Sequence, residues 1–355
     1  MKAVYLATQG DVEVLTYGEQ PAPAVGPAEV LIKVGATALN HLDIYTRAGM
    51  PGRERTFPEP LILGSDLAGT VVEIGAESRR VHVGDRVVFN PFVTCGKCDY
   101  CTAAQDNLCP YLSIIGVARN GGYAEYAVAP YENVFHVADS IPFTEAAAVP
   151  LSFLTAWHML IGRCGLRPGD ELLVMAAGSG VGSAALQIAN RLGAHVIATA
   201  GSDEKLQKAR TLGADETINY RDEPRFAGMV LELTGGRGVD IVFDSVGAPF
   251  WDECFASLSL NGRYVNCGVT GGYAAQLHLG QLFTRQISIL GSFNGTKQEM
   301  RELMRAVNRG ELKPVVSEVL PLAQARGAHK KMEDRDLFGK IVLVPDSASA
   351  GTGPA

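Results

Sequence analysis

The chain has 355 residues, of which 47% are hydrophobic and 19% charged, values that are ordinary for a globular protein with room for two domains. Its formal net charge of -7, with Lys and Arg scattered along the chain, argues against nucleic acid or an anionic membrane as the main partner. The first residues lack the apolar core of a signal peptide, and no apolar run approaches the roughly 20 residues of a membrane span. We therefore expect a cytoplasmic protein.

The first 150 residues predict a mainly β domain. They are rich in Val, Gly and Pro, and short β-prone runs are each bounded by Gly, Pro or Asp. The predicted strands include Val30–Val34, Thr70–Ile74 and Arg86–Phe89.

Four of the seven cysteines lie close together, with the spacing C-x2-C-x2-C-x7-C. They are Cys95, Cys98, Cys101 and Cys109. Four thiolates on one short lobe, at about residues 92–112, form the ligand set of a closed tetrahedral zinc site that supports structure. A secreted disulfide scaffold fits a chain of this size with an odd number of cysteines poorly. The sequence therefore predicts one structural zinc ion.

From residue 151 onward, apolar strands alternate with helical segments, which predicts an α/β domain with a doubly wound parallel sheet. The predicted strands are Glu171–Ala177, His195–Ala200, Glu216–Tyr220, Val239–Val246, Arg263–Gly268 and Ile287–Ser292. The predicted helices Gly180–Leu192 and Asp203–Leu212 separate the first three strands. A helix at Gln298–Asn308 and a strand at Lys340–Val344 follow. The last residues, 346–355, are small and polar and are expected to be disordered.

The turn after the first of these strands predicts a dinucleotide site. It contains Gly178, Ser179, Gly180, Val181 and Gly182. Small residues there let the backbone approach a pyrophosphate, and the following helix directs its positive N-terminal end toward it. A glycine motif between a strand and a helix, within a repeated βα pattern, is the context that supports such a site.

The end of the second strand favours NADPH over NADH. That strand ends at Ala200, where an acidic residue would hydrogen-bond the ribose of NAD. Ser202 and Lys205 instead offer a hydrogen-bond donor and a positive charge to a 2′-phosphate, and Tyr220 could add a hydroxyl group. The two acidic residues that follow Ser202 would repel a phosphate if they pointed toward it.

In the order of its motifs the chain resembles the medium-chain dehydrogenase/reductase superfamily, in the branch of zinc-binding alcohol dehydrogenases and quinone oxidoreductases. The motifs are Asn40–Tyr45 (NHLDIY), Gly64–Gly69 (GSDLAG), the cysteine lobe, Leu154-Thr155-Ala156 and the glycine turn. The resemblance implies a GroES-like β domain made of residues 1–150 and 293–345, with a Rossmann domain, 151–292, inserted in it. It also implies an active site in the cleft between the domains and a homodimer or homotetramer. Thr155, Gly268 and Ser292 would lie near the nicotinamide half of the cofactor.

The chain departs from the zinc alcohol dehydrogenases at their catalytic metal. The resemblance places the three ligand positions at Asn40, Ser65 and within Pro150–Ser152, and none of these residues is Cys, His, Asp or Glu. A catalytic zinc needs three protein ligands, and the adjacent Asp66 alone cannot hold one firmly. The sequence therefore predicts no catalytic zinc. Quinone and enone reductases of the superfamily lack this metal, use NADPH and have Asn and Tyr at the positions of Asn40 and Tyr45.

These features predict an NADPH-dependent reductase whose small-molecule substrate is a quinone or contains an activated carbon–carbon double bond. Asn40 would orient the nicotinamide or the substrate carbonyl, and Tyr45 would donate a hydrogen bond or a proton. His41 and Asp43 would form a polar pair nearby. Two alternatives stay open. One is an alcohol dehydrogenase with an unusual metal site at Asp66 and His41, and the other is a non-enzymatic structural protein that binds NADPH.

Overall fold

The computed structural model describes residues 1–50, 55–57 and 59–346. It divides the chain into two compact units, one formed by Met1–Leu151 with the segment from Thr296 onward, the other by Ser152–Gly295. Of the tail predicted to be disordered, residues 347–355 lie outside the described residues. Across the described part of the chain, no helix combines the length and apolar character of a membrane span.

The strands in chain order are β1 (Lys2–Leu6), β2 (Thr16–Glu19), β3 (Glu29–Ala38), β4 (Leu61–Ile62), β5 (Asp66–Ile74), β6 (Arg86–Phe89), β7 (Phe92–Val93), β8 (Ser113–Ile114), β9 (Tyr126–Pro130), β10 (Val134–His136), β11 (Glu171–Val174), β12 (His195–Ala200), β13 (Glu216–Asn219), β14 (Val239–Asp244), β15 (Leu258–Asn266), β16 (Ser288–Gly291), β17 (Val316–Pro321) and β18 (Lys340–Val344). The helices are α1 (His41–Ala48), α2 (Asp99–Thr102), α3 (Phe143–Ala146), α4 (Pro150–Trp157), α5 (Gly180–Arg191), α6 (Asp203–Thr211), α7 (Ala227–Leu233), α8 (Trp251–Ser257), α9 (Leu279–Thr284), α10 (Lys297–Asn308) and α11 (Ala325–Glu333).

The first unit is a β domain built around a seven-stranded sheet. The strand order is β10-β6-β5-β3-β18-β17, and β9 also pairs with β3. Val30, Ile32 and Val34, at alternate positions of β3, are fully buried, as expected for a strand with one face on a core. Near the C-terminus, β18 pairs antiparallel with β3. Both ends of the chain therefore contribute to this sheet.

The second unit contains a six-stranded parallel sheet in the order β13-β12-β11-β14-β15-β16. β11, β12 and β14 are buried along almost their whole length, as in parallel sheets that are covered on both faces. The strand order reverses between β11 and β14. In doubly wound folds, ligands bind at the carboxyl ends of the strands beside such a reversal. The predicted fold class, a β domain combined with a parallel α/β domain, is confirmed.

Five predicted strands, those observed as β11, β13, β14, β15 and β16, end one to three residues earlier in the structure than predicted, and β15 also begins earlier, at Leu258. β11 ends at Val174 instead of Ala177, because Ala176 adopts a left-handed conformation with φ of 51°. β14 ends at Asp244 instead of Val246, because the Asp244 carboxylate accepts hydrogen bonds from the backbone of the residues that follow it. β6, β12 and β18 have the predicted bounds.

Candidate functional site

The four predicted zinc ligands converge in the cysteine lobe. The Sγ atoms of Cys95, Cys98, Cys101 and Cys109 all lie within 4.8 Å of one another. The Sγ–Sγ distance is 3.5 Å between Cys98 and Cys101, and 3.9 Å for the pairs Cys95–Cys101 and Cys98–Cys109. A tetrahedral ion with Zn–S bonds of about 2.3 Å requires sulfur atoms about 3.8 Å apart. Both the donor set and its spacing therefore fit one zinc ion.

Backbone N–H groups and a carboxylate shape this lobe. The N–H of Lys97 is the main cause that lowers the pKa of Cys95 from 9.0 to about 6, which favours its thiolate, whereas burial raises the pKa of Cys101 to about 12. The Asp106 carboxylate accepts hydrogen bonds of 3.2 and 3.3 Å from the backbone N–H of Lys297, the first residue of α10. This contact fixes the lobe to the C-terminal part of the same unit.

A second polar cluster of the first unit is buried around Asn40, which precedes α1. The ammonium of Lys340 donates to Asn40 Oδ1 at 2.5 Å, to Asp66 Oδ2 at 3.2 Å and to the Leu39 carbonyl at 2.5 Å. Asn40 Nδ2 donates to Asp66 Oδ2 at 2.9 Å. None of the side chains of Asn40, Asp66 and Lys340 is more than 6% exposed. The amide, the carboxylate and the ammonium are therefore each hydrogen-bonded to the other two, and we call this group the Asn40–Asp66–Lys340 network.

This network lies at the positions that the resemblance assigns to the catalytic zinc ligands. Ser65 Oγ is buried and has no hydrogen-bond partner among the described residues, and the Leu151 N–H donates to Asp66 Oδ1 at 2.8 Å. Within the described residues, the cysteine lobe is the only group of three or more His, Cys, Asp or Glu side chains that could share a metal ion. Amides and hydroxyls are poor zinc ligands, and an ammonium already pairs with Asp66. The residues around Asn40 therefore do not fit a catalytic zinc ion.

Asp43 holds the start of α1 in place. Its fully buried carboxylate accepts hydrogen bonds from the backbone N–H of Asn40 at 2.8 Å and of Gly64 at 3.2 Å. The Tyr123 hydroxyl donates to it at 3.4 Å. Burial raises the pKa of Asp43 from 3.8 to about 7, although the Asn40 N–H acts in the opposite direction. In the part of the chain that the structure describes, His41 is not among the hydrogen-bond partners of Asp43, so their predicted pair is not formed.

Tyr45 and His41 share another face of α1. They are four residues apart, which places side chains on the same side of a helix, and their ring centroids are 6.3 Å apart. Tyr45 is half-buried and His41 is exposed. Of the predicted catalytic residues, Asn40 and Asp43 are thus buried, His41 is exposed, and Tyr45 is half-buried with its hydroxyl oxygen shielded from solvent.

A buried chain of hydrogen bonds continues from Asp43 through Tyr123 to His329. The Tyr123 hydroxyl lies 3.3 Å from His329 Nε2, and both side chains are fully buried. Burial lowers the pKa of His329 from 6.5 to about 3, and the charge of Arg47 adds to this effect, so the ring is neutral. Arg47 is 1% exposed and pairs with Glu333. These residues have no signal in the sequence, because 206 positions separate Tyr123 from His329 and no local pattern connects them.

The glycine-rich turn lies between β11 and α5 of the second unit. Ser179 caps α5, and its Oγ accepts a hydrogen bond of 2.9 Å from the Gly182 N–H. A β-carbon at Gly182 would lie 2.4 Å from the Ala176 carbonyl oxygen, so glycine is required for this close packing. Gly180 and Val181, the first residues of α5, are half-buried. The arrangement fits a pyrophosphate at the start of this helix.

Hydroxyl and cationic groups converge where β12 and β13 end. A β-carbon at Gly201 would lie 2.9 Å from the Tyr220 hydroxyl and 3.1 Å from Arg221 Nε. Ser202 caps α6, and its Oγ accepts a hydrogen bond of 3.4 Å from the Lys205 backbone. The structure therefore adds Arg221 to the predicted set. Its signal in the sequence was a cation directly after the third strand.

The two acidic residues at the start of α6 have other partners. Asp203 accepts a hydrogen bond of 3.0 Å from Asn219 Nδ2. Glu204 pairs with Lys208 at 2.7 Å, one turn along the helix. Glu204 is therefore paired with a cation, whereas Asp203 keeps its negative charge and is bonded to a neutral amide.

The three residues predicted to face the nicotinamide lie on separate elements of the second unit. Thr155 belongs to α4 and is buried. Gly268 and Ser292 follow β15 and β16, which are neighbours in the sheet. The Ser292 N–H donates to the Asn266 carbonyl at 2.9 Å and so extends the pairing of these strands. A β-carbon at Gly268 would lie 2.6 Å from the Ser245 carbonyl oxygen. Gly268 and Ser292 are thus at the carboxyl edge of the sheet.

Two family models match the chain: "Alcohol dehydrogenase GroES-like domain" over residues 26–139 and "Zinc-binding dehydrogenase" over residues 180–309. An NAD-dependent alcohol dehydrogenase of Sulfolobus acidocaldarius is 31% identical over 97% of this chain and 99% of its own length. A quinone oxidoreductase of Pseudomonas aeruginosa is 33% identical over 97% of this chain and 99% of its own. The crystal structure of an NAD-dependent alcohol dehydrogenase matches with a TM-score of 0.93 and 46% identity, over 97% of this chain and 99% of that chain.

Proposed function

The chain belongs to the medium-chain dehydrogenase/reductase superfamily of oxidoreductases, and from that premise we propose that it uses NADPH to reduce a quinone or an activated carbon–carbon double bond without a catalytic zinc. The Asn40–Asp66–Lys340 network is the observation that carries this proposal. An ammonium 3.2 Å from the Asp66 carboxylate already offsets its charge, and it would repel a zinc ion placed beside it.

Reduction of a conjugated acceptor suits a site of this kind. In a zinc-dependent alcohol dehydrogenase, the metal acts as a Lewis acid that stabilises the alkoxide before hydride leaves. When hydride adds to a quinone or a conjugated carbonyl compound, the negative charge moves to an oxygen atom, where hydrogen-bond donors can stabilise it. Lys340 contributes a fixed positive charge to the region. Its bond to Asn40 Oδ1 also polarises the amide, whose two N–H groups donate to Asp66 and to the Ala38 carbonyl.

NADPH supplies the hydride when it is bound, and residues of the second unit would hold it. The pyrophosphate would lie at the start of α5, against residues 178–182. Thr155, Gly268 and Ser292 would contact the nicotinamide half. The 2′-phosphate would be bound by four side chains, Ser202, Lys205, Tyr220 and Arg221. The proximity of the Tyr220 hydroxyl and the Arg221 guanidinium to Gly201 supports this choice over NADH.

Within this proposal, Tyr45 donates a hydrogen bond or a proton to the substrate oxygen, and Asn40 is a positioning residue. Asn40 Oδ1 is bonded to Lys340 and its Nδ2 to Asp66, so the network fixes the orientation of the amide. His41 lies one turn before Tyr45 and its side chain reaches solvent. Desolvation by the surrounding protein, with the charges of Lys340 and Arg335, lowers its pKa from 6.5 to about 4, so the ring is neutral at pH 7.

We propose that the cysteine lobe holds one structural zinc ion. Its four thiol groups fill a tetrahedral coordination sphere and leave no open position for substrate. The ion would stabilise the lobe and its contact with α10, and it would take no part in hydride transfer.

A second candidate function is an alcohol dehydrogenase that uses NAD. The structural match at 46% identity to an NAD-dependent alcohol dehydrogenase favours it. Under this alternative a second metal ion would have to bind near Asp66 and His41, and Lys340 would have to leave Asp66. The zinc content per chain separates the two functions, since the reductase needs one ion and the dehydrogenase two.

We also propose that the protein is a homodimer or homotetramer. β16 is an edge strand of the parallel sheet, and Ile289 and Phe293 beside it are 41% and 53% exposed. An edge strand with exposed apolar side chains is a surface that proteins commonly cover. Light scattering on the purified protein measures the number of chains, and a monomer would reject this part of the proposal.

The proposed reaction is tested with a substrate panel. NADPH and NADH oxidation are measured with quinones, enones and enoyl thioesters, and alcohol oxidation is measured with NADP⁺ and NAD⁺. We expect turnover of a quinone, enone or enoyl thioester, with NADPH preferred. Oxidation of alcohols without any reduction of conjugated acceptors would favour the second candidate, and cofactor binding without turnover of any substrate would reject both.

A further inference from the structure

A buried carboxylate in the second unit has no part in the reaction proposed above. Asp244, the last residue of β14, is fully buried. Its carboxylate accepts hydrogen bonds from the backbone N–H of Val246 at 2.7 Å and of Gly247 at 2.9 Å. The Tyr264 hydroxyl donates to it at 2.5 Å and Asn266 Nδ2 at 3.2 Å. One carboxylate therefore joins two donors after β14 to two donors on β15.

These bonds connect the loop after β14, residues 245–247, to β15. Asn266 Nδ2 extends the connection to the loop after β15, residues 267–272, because it also donates to the Gly268 carbonyl at 2.8 Å. The loops also bind each other directly, because the Gly271 N–H donates to the Val246 carbonyl at 2.9 Å. A β-carbon at Gly268 would lie 2.6 Å from a carbonyl oxygen of the first loop, so the two backbones are in close contact. The Asp244 carboxylate is the charged group at the base of this pair of loops.

The pair of loops lies on one side of the reversal in strand order. β14 pairs with β11, whose following turn contains the glycine motif, and a dinucleotide spans the crevice at such a reversal. Arg221 and Tyr220 follow β13, on the other side, where the adenine half would lie. We propose that Asp244 is a positioning residue that holds both loops in the shape that receives the nicotinamide half. This inference rests on the proposed function, because it requires NADP(H) on this unit.

A carboxylate is needed for this arrangement because all four of its partners are donors. The amide of Asp244→Asn has a single acceptor oxygen, and its NH₂ group would face N–H or O–H groups. At least one backbone N–H would then stay buried without an acceptor, and the loops would shift to hydrate it. Tyr264→Phe removes one donor and leaves the carboxylate, so it is a milder form of the same change. Tyr264 is 4% exposed, and phenylalanine can fill its space.

Binding of two ligands tests the proposal. Adenosine 2′,5′-bisphosphate carries the adenine half and the 2′-phosphate, whereas NADPH also carries the nicotinamide half. For Asp244→Asn we expect calorimetry to give a Kd for NADPH at least about tenfold higher and a Kd for the bisphosphate changed by less than about twofold. Tyr264→Phe should raise the Kd for NADPH about threefold and leave the Kd for the bisphosphate unchanged. Asp240→Asn is the matched control, because Asp240 lies near the other end of β14, and it should alter neither Kd.

The proposal would be overturned if Asp244→Asn raised the Kd for NADPH and the Kd for the bisphosphate by the same factor, or if it raised neither. If Asp244→Asn does not fold, Tyr264→Phe provides the test. A rise in the Kd for NADPH with an unchanged Kd for the bisphosphate supports the proposal, and equal changes in both overturn it. A wild-type protein that binds ADP and NADH but not the bisphosphate would refute the NADPH preference, and the same comparison with ADP and NADH would still test Asp244. A wild-type protein that binds none of these ligands would overturn both proposals.

Discussion

The ammonium of Lys340 lies 3.2 Å from Asp66 Oδ2, and both side chains are buried. They are separated by 274 positions in the sequence. Because β18 pairs with β3, and β3 with β5, the C-terminal strand carries a lysine to the start of β5. A cation of the polypeptide thus lies beside the positions that the resemblance assigns to catalytic zinc ligands.

Loss of this cation should be costly. Lys340→Met leaves the Asp66 carboxylate buried without its partner, and we expect the free energy of unfolding to fall by about 3–5 kcal/mol. Adding Asp66→Asn removes the uncompensated charge and should recover part of the loss. Urea unfolding followed by circular dichroism measures both effects. Lys331→Met is the control, because Lys331 forms an exposed pair with Glu318, and it should cost less than about 1 kcal/mol. Similar costs for the two lysines would refute the prediction.

Arg221 should discriminate between the two cofactors. Arg221→Ala removes a guanidinium next to Gly201 and should raise the Kd for NADPH about 10- to 100-fold, since a charge-assisted hydrogen bond to the 2′-phosphate is lost. The Kd for NADH should not change. Fluorescence titration measures both values, and Arg225→Ala, at a nearby exposed arginine, serves as the control. If Arg221→Ala raised the Kd for NADPH and the Kd for NADH by the same factor, the assignment of Arg221 to the 2′-phosphate would be wrong.

Asp43 should make stability depend on pH in a specific direction. Burial raises its pKa from 3.8 in the unfolded chain to about 7 in the folded protein, so between these values the folded state holds a proton that the unfolded state releases. The stability of the wild type relative to Asp43→Asn should therefore fall as pH rises from about 4 to about 7, by at most about 4 kcal/mol, and stay constant above. The free energies of unfolding of the wild type and of Asp43→Asn, measured with urea between about pH 4 and pH 8, test this prediction. Asp139→Asn, at an exposed aspartate, should show no trend, and a relative stability that rose with pH would contradict the prediction.

Removal of one lobe cysteine should abolish zinc binding and spare the cofactor. In Cys98→Ser we expect the zinc content to fall from one ion per chain to none and the Tm to fall by about 5 °C or more. Binding of adenosine 2′,5′-bisphosphate should be retained, because its proposed residues belong to the second unit. Cys267→Ser changes a cysteine outside the lobe and should keep its zinc. Zinc retained in Cys98→Ser would place the ion elsewhere.

Much of the fold could be predicted because its strands are locally encoded. β6, β12 and β18 are continuous β-prone runs, and their bounds match the prediction. β17 was missed, because polar residues interrupt it and its burial alternates between half-buried and exposed positions. Its parallel pairing with β18 defines it as a strand, and that contact is not visible in the local sequence.

The candidate site was less predictable, because its contacts join distant parts of the chain. Asn40 and Asp43 belong to one short motif and could be selected from it. Lys340 could not, since 300 positions separate it from Asn40 and its own strand is an ordinary apolar run. Arg221 has a local signal, a cation after a predicted strand, but the positive charge expected from the sequence was that of Lys205. Which of the available cations meets a ligand depends on the packing of β12 against β13.

The zinc content of purified, active protein tests the central claim most directly. Elemental analysis of the wild type and of Cys98→Ser, with reduction and alcohol oxidation measured on the same samples, gives the number of ions and their role. We predict one zinc ion per wild-type chain, none in Cys98→Ser, and NADPH-dependent reduction of a quinone or conjugated acceptor by the wild type. Two ions per chain, of which one persists in Cys98→Ser and is required for alcohol oxidation, would contradict the account.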